Sequence, residues 1–317
     1  MQDWLDFGNG IHAFDSGYVR PSLAAIHMIV ERGRVALVDT GNNDSLKPTL
    51  RALERLGLGP AAVDYVILTH IHLDHAGGAG AMMAAFPGAR LVVHPRGSRH
   101  MVDPSQLLAG VRAVYGEEAT ARLYGELLPV PPERIIEAVD GLVLDLAGRK
   151  LLCLDAPGHA RHHIALVDEA SQGIFTGDLF GLSYREMDVD GRQFLFPTTT
   201  PVQFDPDAMH ASIDRLMGYG PEAMYLTHYS RLHDLPRQAE ELHRRIDATV
   251  AIARGAAGSG PGRHLAIKRG LTEFLLEESR RFGCRLGESA LLELWETDLE
   301  LNAQGLGVWL DQQSGRS

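Results

Sequence analysis

Cysteine is scarce in this chain: there are two in 317 residues, Cys153 and Cys284. Two isolated thiols cannot build a disulfide framework. Cys153 sits in the apolar run KLLCLDAPG and reads as a small buried hydrophobe rather than a ligand. Long hydrophobic runs are missing too, and no stretch approaches the roughly 18 apolar residues of a membrane span. The opening MQDWLDFGNG lacks a basic segment followed by an apolar one, so no secretory signal is expected and a cytoplasmic protein is the default. Basic residues fall short of acidic ones, 30 against 41, leaving a formal charge of -11 with no basic block. That argues against nucleic acid and anionic membrane as partners. A G-x-S-x-G elbow is also absent, so no serine nucleophile of that kind is expected. A small-molecule substrate is the remaining expectation, with a homo-oligomer left open.

What is present suits a folded globular protein. Hydrophobic residues make up 45% and charged residues 22%, an ordinary globular balance. The length allows one large domain, or a domain of about 200–250 residues with an appendage. Short β-type segments such as GIHAFDSG, AAIHMIVERG and RVALVDTG come first. SLKPTLRALERLGL then reads as a helix capped by Ser45, with Leu46, Leu50, Leu53 and Leu56 at helical spacing. From residue 96 to about 134 a helical stretch interrupts the strands and reads as an insertion. After about His233 strands become rare and amphipathic helices dominate, with GAAGSGPG as a connector. The expected organisation is a mixed α/β domain over 1–235 and a helical C-terminal subdomain over 236–317.

The densest chemistry lies in LTHIHLDHAGG, Leu68 to Gly78. His70 and His72, two residues apart at a strand end, can point the same way. Asp74 and His75 follow at a loop-to-helix junction, where a helix N-terminus favours a carboxylate. Gly77 and Gly78 remove side chains where backbone and a metal shell must come close. Three further candidates each follow an apolar strand: His159 after LLCLDAPG, Asp178 after GIFTG, and His228 after AMYLT. Imidazole and carboxylate together suit zinc, iron or manganese. Taken singly, His12, His27, His94, His100 and His264 read as ordinary core or surface histidines.

The H-x-H-x-D-H run with a downstream His, Asp and His resembles the metallo-β-lactamase-fold superfamily, over about Gly10 to His233. The resemblance implies a four-layer αββα sandwich. It implies that His70, His72 and His159 hold one metal ion, that Asp74, His75 and His228 hold a second, and that Asp178 bridges them. Asp39 in LVDTG would then orient a ligand histidine without binding metal. Two divalent ions, zinc first with iron or manganese as alternatives, would lower the pKa of a shared water. The resulting hydroxide would attack the carbonyl of an ester, lactone or thioester, with Asp74 orienting it.

Departures from the family narrow the branch. Flavodiiron proteins carry Glu where His72 stands, and no Cys adjoins a ligand segment as in one lactamase class. Hydrolases similar to glyoxalase II and lactonases remain, although no basic cluster for glutathione carboxylates is evident. The alternative is a mononuclear-iron oxidoreductase similar to persulfide dioxygenases. Tyr184 is a candidate donor to the substrate oxygen, as in lactonases, with packing as its other reading. His163 is a candidate for supporting the site or the substrate, with simple packing as its other reading. His162 stands where the family commonly has glycine. The segment from Phe180 to Phe204 is expected either to line the substrate or to be a connection covered by the C-terminal helices.

Overall fold

The computed structural model describes residues 4–200 and 202–314. The chain divides into two compact units. The first comprises residues 1–155, 162–177 and 221–231; the second comprises 156–161, 178–220 and 232–317.

The first unit is built on two mixed sheets. One runs in the order β1 (Trp4–Asp6), β2 (Ile11–Asp15), β3 (Ala25–Glu31), β4 (Arg34–Val38), β5 (Val63–Ile67), β6 (Arg90–Val93), β7 (Ile135–Glu137). Its first four strands pair antiparallel and its last four parallel. The other contains β8 (Val143–Leu146), β9 (Arg149–Asp155), β10 (Ile164–Asp168), β11 (Gly173–Gly177), β12 (Ala223–Leu226) and β13 (Ser230–Leu232), in spatial order β13-β12-β11-β10-β9-β8. β11 and β12 are parallel, and the pairs from β8 to β11 are antiparallel.

Strand alternation explains why both faces of the first sheet are apolar. Val35 and Leu37 of β4 point to one side, with Met28 and Val66. There they meet Ala52 and Leu53 of α1 (Leu46–Arg55) and Met82 and Met83 of α3 (Ala79–Ala85), which follows the single turn α2 (Leu73–Ala76). Ala36 and Val38 point the other way and join Leu151, Cys153, Leu166 and Phe175 of the second sheet. Cys153 is therefore core, as expected, and burial pushes its thiol up to about 12. Ser45 opens α1 but does not cap it through its side chain. Its hydroxyl donates to the Ser16 carbonyl at 2.7 Å instead. Three helices, α4 (Pro95–Val102), α5 (Ser105–Tyr115) and α6 (Glu117–Tyr124), fill the interval between β6 and β7.

The second unit is helical: α7 (Pro206–Met217), α8 (Leu235–Ala256), α9 (Arg263–Phe282), α10 (Glu288–Leu294) and α11 (Glu296–Ser314). α8 runs through Gly255, so the connector is shorter than the glycines suggested. The Phe180–Phe204 segment supplies much of this unit's core. Phe194 and Phe196 are fully buried, and their rings meet Trp295, while Phe194 also meets Phe282 edge-on. Asn302 of α11 accepts from the Thr199 amide at 2.6 Å and, through its backbone carbonyl, from the Thr199 hydroxyl at 3.1 Å. Of the two readings of this segment, the connection covered by C-terminal helices is the one these contacts describe. No helix among the described residues is long and apolar enough to cross a membrane.

Candidate metal centre

The sheets deliver their polar groups at the C-terminal ends of strands. β4 ends at Val38 and is followed by Asp39; β5 ends at Ile67, and His70 to His75 follow; β12 ends at Leu226, just before Thr227 and His228.

Asp39 organises this end. Its side chain is buried, and its backbone is left-handed (φ 63°). Its Oδ1 accepts from the Thr69 amide at 2.8 Å and the Thr69 hydroxyl at 2.9 Å. Its Oδ2 accepts from the Thr227 hydroxyl at 2.7 Å and pairs with His75 Nδ1 at 2.8 Å. The turn after β4 also grips the backbone of His75, whose carbonyl accepts from the Thr40 amide and hydroxyl, each at 2.7 Å. Gly78 is needed for the same reason. A Cβ there would fall 2.5 Å from the Asn42 carbonyl oxygen and 2.7 Å from that of Thr40. The close approach is by the β4 turn and not by a metal shell.

The ligand candidates Asp74, His75 and His228 converge, with ligand atoms all within 4.8 Å of one another. His228 Nδ1 lies 2.6 Å from the Leu23 carbonyl, which can only accept, so that nitrogen carries the hydrogen. His75 Nδ1 likewise faces the Asp39 carboxylate. Both rings are thus held with Nε2 toward Asp74 Oδ2, at 3.5 Å for His75 and 3.2 Å for His228. In the neutral rings these are lone pairs facing an acceptor, an arrangement that calls for a cation among them. Burial opposes ionisation of Asp74, but positive charge on the facing His75 and His228 holds its carboxyl well below the usual carboxylate range, the effect that a cation placed among the neutral rings would reproduce. Because α2 is a single turn, these histidines rather than a helix end favour the charge.

His70 Nε2 and His72 Nδ1 meet at 2.9 Å, as their two-residue spacing predicts. A model of the Metallo-beta-lactamase superfamily matches residues 19–228. The chain belongs to that superfamily. It is 25% identical over 229 residues to a metallo-beta-lactamase fold-containing protein of Sulfurisphaera tokodaii, covering 69% of this chain and 78% of that one. To the hydroxyacylglutathione hydrolase of Xanthomonas campestris pv. campestris it is 28% identical over 253 residues, covering 78% of this chain and 77% of that one. Among solved structures, a metallo-beta-lactamase family protein from Thermus thermophilus matches with a TM-score of 0.67 at 22% identity, covering 96% of this chain and 94% of that one. The expected metallo-β-lactamase fold is the fold observed.

The remaining candidates of this superfamily member fall in two groups. His159 and Asp178 belong to the second unit, where His159 Nε2 lies 3.5 Å from Asp178 Oδ2. By chain connection, His159 follows β9 by four residues and Asp178 follows β11 directly. Gly177, just before Asp178, has φ +50°, and a Cβ there would sit 2.6 Å from Thr69 Oγ1 and 2.7 Å from His163 Nε2. His163 is fully buried, with its ring 5.0 Å from that of His70 and 25° from parallel. His162 crosses His72 edge-on at 5.7 Å; burial, and then the neighbouring His72, push its pKa down to about 3. It packs as a neutral ring where the family commonly has glycine.

Of the two readings of Tyr184, substrate donor and packing, its contacts describe packing. It is buried, and its hydroxyl donates to Asp298 Oδ2 at 2.9 Å. A phenol has one proton to give, and here α11 takes it instead of a substrate oxygen. Sequence reasoning missed Thr69 and Thr227. Their signal was the tripeptide Leu-Thr-His, present at both 68–70 and 226–228. In each copy the threonine serves Asp39 and the histidine is a ligand candidate.

Proposed function

We propose that the chain is a metal-dependent hydrolase of a carbonyl substrate, an ester, lactone or thioester, working with two divalent ions, zinc foremost. The observation that carries this reading is the tautomer lock on His75 and His228. Each ring has Nδ1 tied to a fixed acceptor and Nε2 turned to Asp74. Metal-ligating histidines are held in this way by carboxylate or carbonyl partners. Asp74, His75 and His228 would hold one ion. Superfamily membership supports His70, His72 and His159 for the other, with Asp178 bridging.

Bound ions of this kind would supply an activated water and stabilise charge developing on a carbonyl oxygen. The protein's own groups do the positioning. Asp39 holds the His75 proton at Nδ1, and the Leu23 carbonyl holds that of His228. The second Asp74 oxygen can accept a hydrogen bond from the attacking water and align it. Buried His163 keeps the His70 ring in place by stacking. The 28% identical hydroxyacylglutathione hydrolase makes thioesters the first substrates to try.

The test joins elemental analysis to a panel of thioester, lactone, aryl ester, phosphodiester and β-lactam substrates. Two equivalents of zinc or manganese, with turnover of a carbonyl ester or thioester, are expected. His72→Ala should remove at least one equivalent and abolish turnover. A single iron equivalent with no hydrolysis would replace this reading with the mononuclear-iron oxidoreductase. The filled set Asp74, His75 and His228 speaks for the hydrolase.

A further inference from the structure

A second histidine cluster lies in the helical unit, between α7 and α8. α7 carries His210 and Asp214; α8 carries His243 and Asp247. Four-residue spacing sets each pair on one helix face. The two imidazoles meet edge to edge in nearly parallel planes, with centroids 4.9 Å apart, planes 17° from parallel and Nδ1 atoms 2.6 Å apart. The carboxylates pair crosswise. His210 Nε2 lies 3.1 Å from Asp247 Oδ1, and His243 Nε2 lies 3.1 Å from Asp214 Oδ1.

Proton counting makes this arrangement informative. A carboxylate oxygen only accepts, so each Nε2 carries a hydrogen. A neutral imidazole has one N–H, so both Nδ1 atoms present lone pairs to each other. Two lone pairs at 2.6 Å repel unless a positive charge sits between them. That charge is either a shared proton or a metal ion. Each ring already has the feature that tunes a metal-binding histidine, a distal N–H on a carboxylate, which raises ligand basicity and fixes the tautomer.

We propose that His210 and His243 form a metal clip across α7 and α8, distinct from the catalytic cluster, that takes a borderline divalent ion such as Zn²⁺. Asp214 and Asp247 support the two rings and offset the charge, and water fills the other positions. Zn–N bonds of about 2.0–2.1 Å in a tetrahedral site place two ligand nitrogens roughly 3.3 Å apart. The rings must therefore part slightly. Both histidine side chains are about a quarter exposed, at 25% and 26%, so small rotations suffice and the ion has an open path.

The experiment is calorimetric titration of the full-length, chelator-stripped protein with ZnCl₂ alone. The wild type should bind one more equivalent than His210→Gln/His243→Gln, while turnover by the zinc-loaded variant stays unchanged. Asp247→Asn keeps both rings and should weaken the same equivalent by roughly tenfold. If the double variant does not fold, Asp247→Asn decides alone. Equal stoichiometry and affinity in the wild type and the double variant, or no weakening in Asp247→Asn, would overturn the clip and leave a proton shared between the rings. Loss of the catalytic reading would appear instead as missing turnover, with this extra equivalent still bound.

Discussion

Asp39 in the sheet unit and Glu278 in the helical unit are both buried carboxylates, and they are satisfied in opposite ways. Glu278 is met by guanidinium groups. Arg245 Nε donates to its Oε2 at 3.0 Å, and Arg244 Nη1 to its Oε1 at 3.1 Å. Arg245 also donates to the Leu195 carbonyl and lies 4.5 Å over the Phe194 ring. The charges close on one another and fasten α8, α9 and the Phe180–Phe204 segment together. Among the described residues, no guanidinium meets Asp39. It accepts from an amide, two threonine hydroxyls and one imidazole, and that imidazole faces Asp74 with its other nitrogen. A carboxylate neutralised by arginine is structural. One satisfied by neutral donors and a single histidine passes its influence to the next group.

Removing Glu278 should therefore break stability and nothing else. Glu278→Gln leaves Arg245, whose side chain is 6% exposed, without its buried anion and with only the partly exposed Glu241 at 3.3 Å. Breaking a buried pair from one side costs about 3–5 kcal/mol. Chemical denaturation should read a loss of that order, while the folded fraction retains its metal content and turnover. A variant of normal stability, or one that loses metal, would end the contrast.

Asp39→Asn should act the other way. The amide NH₂ would confront donors where an acceptor is required, and His75 would lose its anionic partner. Losing such an outer partner typically costs 10–100-fold in metal affinity or activity, about 1.4–2.7 kcal/mol. Metal competition and kcat/KM measure it. A drop in melting temperature with unchanged metal affinity would make Asp39 as structural as Glu278.

The two units were also unequally legible in the sequence. In the sheet unit the ligand candidates sit in one hexapeptide and just past apolar strands, so short-range spacing sufficed. Asp39 was readable from LVDTG, but Thr69 and Thr227 were not, because threonine at a strand end looks like β-propensity. The helical unit hid its logic because its contacts are long-range. Phe194 and Phe196 meet Trp295 about a hundred residues away, and neither periodicity nor a turn signal in Phe180–Phe204 announces it. His210 and His243 were silent for the same reason: each is an ordinary polar position on its helix, and the pair exists only once α7 and α8 are side by side.

Gly177→Ala sharpens the comparison at the chain position where the sheet unit hands over to Asp178. The left-handed backbone and the 2.6–2.7 Å clashes with Thr69 and His163 should cost stability, of order 1–3 kcal/mol as for strained backbone elsewhere. Because the same residue precedes a proposed bridging ligand, metal affinity should fall with stability. A destabilised variant of unchanged metal affinity would uncouple the strand end from the metal centre.

The smallest effect is expected at Tyr184, for which the sequence left a substrate donor and packing both open. Its ring is buried edge-on to Phe196 at 5.6 Å, and its hydroxyl is bonded to Asp298 of α11. Phenylalanine keeps the packing and removes only that bond, a loss of about 1 kcal/mol. Tyr184→Phe should lower the denaturation midpoint slightly and leave kcat unchanged on the best substrate of the panel. A tyrosine that leaves Asp298 to serve a developing oxyanion would give the reverse: kcat down with stability nearly intact, by less than the 10²–10³-fold typical of a principal oxyanion donor. Asp298→Asn separates the two roles further. The amide oxygen still accepts the tyrosine proton, so a structural bond survives that substitution and its stability should stay near wild type, whereas Asp298→Ala should reproduce the loss seen in Tyr184→Phe. Matching losses in those two variants, with kcat unmoved in both, would place Tyr184 with Glu278 among the fastenings of the helical unit.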